Sequence, residues 1–146
     1  MKTKLAKALS VVVLLTLLIV PAAYAAPADH HVHCEGSGFA YLRGDMTIDV
    51  GARVGALAFH NISGDGVLTV TGIGHKIVRG AWTYVYGFNG AAHAAGTLIG
   101  VTLSGRKVVL DATGHGVVQV RGIGFCTIDG TQTQWASTTQ ELAISE

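Results

Sequence analysis

Glycine recurs every few residues from Gly36 to Gly130, and all 20 glycines of the chain fall within that span. This spacing argues against helix, because each interior Gly costs about 1 kcal/mol relative to Ala. Val, Ile, Thr, Tyr, Phe and Trp fill the gaps, and these side chains suit a pleated surface. The punctuation predicts short strands near 37–43, 45–50, 53–60, 66–73, 75–79, 81–88, 97–103, 107–112, 116–121 and 124–129. The runs from Leu98 to Leu103 and from Val108 to Leu110 are almost continuously apolar, as expected of central strands.

The punctuation is itself repeated. Residues 64–80 and 114–130 share the frame G-x-G, an apolar or β-prone run, then G-I-G and a closing Gly, and they agree at eight of 17 positions. A weaker copy runs from Gly36 to Gly44. Gly72 and Gly122 hold the same place in the two best copies, each before Ile-Gly. Glycines inside strand-like runs mark bulges or sharp bends, or a place where a ligand approaches the backbone. The bend is the simpler account of two copies. The expected fold is all-β: a compact antiparallel sandwich or barrel of about eight to ten short strands. A small β-solenoid is the alternative, but solenoids want even spacing and the copies begin at 36, 64 and 114.

The G-x-G strands, with an aromatic strand from Trp82 to Gly90 ending in Gly-Phe-x-Gly, resemble a family of small exported bacterial Gly-rich β-repeat proteins. The resemblance covers about residues 34–135. It implies an all-β fold and export, and it brings no activity.

The start of the chain carries its own signal. Lys2, Lys4 and Lys7 precede an apolar run from Ala8 to Val20, Pro21 breaks it, and Ala23-Tyr24-Ala25 offers a small-x-small cleavage site. This is the pattern of a secretory signal peptide, and the 13-residue run is shorter than the span of about 20 residues that a membrane helix needs. The expected organisation is a signal peptide over 1–25, a His-rich leader over 26–35, a β-repeat domain over 36–130 and a polar tail over 131–146. Trp135 is expected to pack back on the domain edge. Without the signal peptide the chain keeps 7 basic and 9 acidic residues, a net charge of −2 with His neutral. That balance gives no electrostatic basis for binding nucleic acid or an anionic membrane, and no later apolar run approaches membrane length. The expected location is the periplasm or the extracellular space.

Few residues carry chemistry. His30, His31 and His33 precede Cys34, and imidazole is a good ligand for Zn²⁺ or Cu²⁺. In an extended chain His31 and His33 share one side, but no complete ligand set accompanies them, and a solvated polar leader is the expected reading, with the metal site as the alternative. Cys34 and Cys126 form an even count in an exported chain and are expected to be joined as a disulfide. Trp82, Tyr84, Tyr86 and Phe88 alternate onto one face of a strand. They are expected to fill the core; the alternative is an exposed row that stacks sugars or grips apolar partners. The Asp residues sit beside turns, where Asp is expected anyway, and nothing in their spacing selects a catalytic pair. Gly100 to Lys107 approaches phosphate-loop spacing without the G-K-[ST] ending.

The function expected from these residues is a non-enzymatic structural, adhesion or binding role in the cell envelope or extracellular matrix. Exposed sheet edges would permit self-association. The alternatives are a periplasmic Zn²⁺- or Cu²⁺-binding protein using the His tract, and a hydrolase with a cryptic carboxylate site. No cofactor is expected beyond that metal ion.

Overall fold

The computed structural model describes residues 28–144; the segment read as a signal peptide lies outside the described residues. Every regular element among them is a strand: β1 (His30–Asn61), β2 (Val67–Arg79), β3 (Trp82–Ile128), β4 (Thr131–Gln134) and β5 (Gln140–Ile144). All pairings are antiparallel, and the sheet does not close into a barrel. Among the described residues no helix is long and apolar enough to cross a membrane.

β1 and β3 far exceed the usual strand length of about five or six residues, because they turn corners without losing their pairing. Gly36 pairs with both Val108 and Gly124, Gly44 with Ile99 and Gly116, and Met46 with Gly96 and Gly114. A residue with two partners on one strand requires that strand to coil around it. The register therefore describes an antiparallel ribbon wound as a flattened coil. β1 and β2 wind forward and β3 winds back between their turns. In order along the coil the turns are 116–128, 30–44, 99–114, 46–61, 82–96 and 67–79.

Each turn contributes half its length to either of two facing layers. One layer aligns 124–128, 30–36, 108–114, 46–52, 90–96 and 67–72; the other aligns 116–122, 38–44, 99–105, 55–61, 82–88 and 75–79. Alternate residues point inward, so Cys34, Ile48, Leu110 and Cys126 from the first layer meet Leu42, Leu57, Val101 and Val118 from the second in one buried core. The sandwich is thus the architecture, and the solenoid-like repeat survives as its winding.

Glycines make the corners. Gly72 and Gly122 have φ of +111° and +138°, a region that side-chain-bearing residues avoid. A Cβ at Gly72 would overlap the Asn89 carbonyl oxygen, and one at Gly122 the Ser37 carbonyl oxygen. The two repeat copies build equivalent corners, each pushing its Ile outward: Ile73 is 72% and Ile123 84% exposed.

The ends of the domain differ from expectation. His30 to Glu35 is the first leg of β1, rather than a leader, and the expected tail supplies β4 and β5. Cys34 and Cys126 are cross-strand neighbours joined by the expected disulfide. Trp135 is buried and donates its indole N–H to Cys126 Sγ at 3.2 Å. Gly36 makes room for that ring, since a Cβ there would stand 3.0 Å from it. Residues 90–96 also form a strand leg that the Gly punctuation did not reveal.

Candidate functional site

Trp82, Tyr84 and Tyr86 point outward from the second layer, correcting the expectation that they fill the core. Between them Val85 points inward and is buried. Phe88 does reach the core, because Gly87, at φ +64°, inserts a bulge. Ala56 pairs with Tyr86 while Gly55 pairs with Phe88, and that extra residue turns Phe88 to the other face.

The outward rings share one orientation. His60, cross-strand from Trp82, stacks on it at 3.9 Å between centroids with planes 11° apart. Trp82 to Tyr84 and Tyr84 to Tyr86 continue at 5.7 Å and 6.2 Å, with planes 9° and 13° apart. Face-to-face contact between opposed residues of neighbouring strands means that the rings stand up from the sheet with their faces turned across it. Tyr84 and Tyr86 lie opposite Ala58 and Ala56, which are too small to cover those faces as His60 covers Trp82.

Across the layer, the register sets Ala56, Ala58 and His60 beside Ser104, Thr102 and Gly100, and these beside Phe39, Tyr41 and Arg43. The strip between the aromatic rows is the trough: Trp82, Tyr84 and Tyr86 on one side, Phe39 and Tyr41 on the other, and Ala56, Ala58, Thr102 and Ser104 between, with Gly100 buried under His60 and Tyr41. Tyr41 leans over Gly100, where a Cβ would lie 3.6 Å from its ring. The wall strands are three strand spacings of about 4.8 Å apart, roughly 14 Å. Arg43 and Arg79 are exposed in the cross-strand row of Trp82 and Arg121 in that of Tyr86, while the row of Tyr84 ends in Ile77 and Gln119. Among the described residues none of the three arginines is in an ion pair.

The outer face of the first layer has the opposite character. Its cross-strand row reads His33, Asp111, Asp49, His93. His33 Nδ1 lies 2.7 Å from Asp111 and His93 Nδ1 2.8 Å from Asp49. His33 Nε2 is 3.2 Å from Glu35. The Asp111 hydrogen bond holds His33 above its ordinary pKa against a smaller opposing effect of burial, with Glu35 assisting. A groove of about 400 Å³ passes over Asp49, Thr69, Thr71, His93 and Asp111. The two carboxylates that sequence spacing did not single out are therefore cross-strand neighbours. Both side chains are well exposed.

The His tract does not converge. His31 and His33 point outward as expected, but His30 turns to Asp129 at 2.6 Å and packs edge-on to His115. Asp129 also accepts the His31 backbone N–H at 2.9 Å, and the His30 bond, with that N–H, holds its carboxyl below the usual range. Among the described residues no three His, Cys, Asp or Glu side chains are arranged to hold a metal ion. Asp65, at the entrance to β2, is lowered likewise by the Ser63 hydroxyl and by Thr97.

The aromatic row was legible in the sequence; Phe39, Tyr41, the small residues between and the arginine rim were not, because only the register brings their strands together. Comparison of the chain with family models, with curated proteins and with solved structures finds no match.

Proposed function

We propose that this chain is an exported, non-enzymatic binding module that lays an extended anionic polysaccharide along the trough on the outer face of its second layer. The observation that carries the reading is the parallel row of Trp82, Tyr84 and Tyr86, whose two tyrosines stand opposite only Ala58 and Ala56 on the strand beside them. Upright aromatic faces at successive same-side positions repeat along the strand, as a chain of flat rings would require. Large apolar rings otherwise seek burial, so a row of them beside small residues favours a ligand that completes the packing. Arg43, Arg79 and Arg121, in no ion pair among the described residues, supply guanidinium groups for carboxylate or sulfate substituents, whereas the acidic outer face of the first layer would repel the same polymer.

Export is part of the proposal, resting on Lys2 to Ala25 and on the disulfide, which persists in oxidising compartments. N-terminal sequencing of the secreted protein should begin at or next to Ala26.

The binding test is calorimetric titration with a polyuronate and with a neutral β-glucan. Binding to the polyuronate that weakens with salt, and that Tyr84→Ala with Tyr86→Ala abolishes, supports the reading. Binding to neither polymer, or binding that survives the double substitution, contradicts it.

A further inference from the structure

The two repeat copies end the coil differently. The outer edge of the second copy is covered: Gly116 to Val120 pair with β5 and Phe125 to Ile128 pair with β4. Val118 and Val120 beneath that cover are fully buried, and Trp135 and Ile144 close the end of the core. The corresponding edge of the first copy is β2, which among the described residues pairs only with β3. Its inward residues are left at the mouth of the core. Leu68 and Val70 are half-buried, and Val78 is 63% exposed although its cross-strand partner Thr83 lies beside Phe59 on the inner side.

We infer that a second copy of this chain covers this end, by antiparallel pairing of β2 with β2 about a two-fold axis at Ile73. The cover on the other end shows what is needed: an antiparallel strand in two legs, bent where the repeat bends. β2 is itself such a strand, with legs 67–72 and 75–79 about the Gly72 corner. In the two-fold register Leu68 lies opposite Val78 on the inner side, where each covers the other's exposed surface. Lys76 shares the inner side with Val78, since it pairs with the buried Val85. It lies opposite Val70 beside the corner, where its stem packs on Val70 and its ammonium reaches out past Ile73. Arg79 lies opposite Val67 and Thr71 faces His75, so no like charges meet. A shift by one residue would set inward against outward side chains, so the core mouth itself selects this register. The opposite edge already carries β4 and β5, so the contact is isologous and closes at two chains.

Sedimentation equilibrium of the protein measures the association, and two substitutions locate it. Val78→Lys places a charge at the mouth of the core and should weaken the dimer by roughly tenfold or more, as disruption of a central interface residue does. Ile73→Cys should give a covalent dimer on mild oxidation, because the two-fold axis sets the new thiols opposite each other. Ile123→Cys, exposed at the equivalent corner but on an edge already paired with the chain at 131–144, should give none. A protein monomeric at all concentrations, an open-ended polymer, a dimer indifferent to Val78→Lys, or equal cross-linking at both cysteines would overturn the proposal.

Discussion

At the scale of single residues, the corner glycines carry two burdens at once. Gly72 and Gly122 hold positive φ and also allow a neighbouring carbonyl to approach where a Cβ would sit. Alanine at either should cost about 1–3 kcal/mol, the range for a residue held in a sparsely populated backbone conformation. Equal losses in chemical denaturation of Gly72→Ala and Gly122→Ala are expected; a neutral substitution at one would mean that its bend can relax. His33 makes a second residue-scale prediction. Its folded pKa is raised by Asp111, so its contribution to stability is complete below the unfolded value of about 6.5 and is lost as pH rises through the folded value. Asp129 and Asp65 are lowered, so their contributions are present above the usual carboxylate range and fade as pH falls. Melting temperature should therefore decline on both sides of a weakly acidic optimum. His33→Gln should remove the decline on the alkaline side and leave the acid side unchanged.

At the scale of elements, the legs of the coil follow the Gly punctuation closely, because each corner needs a residue without a side chain. Two legs escaped it for physical reasons. Residues 90–96 are mostly Ala, which has little strand preference of its own, and they are strand because 46–52 and 67–73 pair on either side. Residues 30–36 look solvated by composition, yet alternation buries Val32 and Cys34. The face of the aromatic strand was misassigned because large rings were expected to fill the core, and period-two counting runs past Gly87 without registering the bulge that turns Phe88 alone inward. The correction separates two kinds of aromatic residue within one strand. Phe88→Ala should cost about 3–5 kcal/mol, as loss of a buried phenyl does. Tyr86→Ala, removing an exposed ring, should leave the melting temperature nearly unchanged; equivalent losses at both positions would contradict the assigned faces.

At the scale of the whole molecule, the disulfide joins the first leg of β1 to the last leg of β3 across a sequence separation of 92 residues. Closing a loop of that length contributes roughly 4 kcal/mol in the chain-entropy model. Replacing Cys34 and Cys126 together by Ala should lower stability by about that much while the all-β circular dichroism persists. The pairing was legible from the even count and the expectation of export. The segregation of charge was not: near-neutral composition conceals one layer rich in outward Asp and His and another rimmed by arginines, and only the winding sorts them. That segregation, with the aromatic trough, is the basis for assigning a binding role. The chain's two tryptophans allow the role to be tested without substitution. Trp135 is buried at 7% exposure against the disulfide, so a collisional quencher reads Trp82. Saturation with a polyuronate should protect this emission from iodide and shift it to the blue. Polyuronate binding that leaves the iodide quenching of Trp82 unchanged would contradict the account.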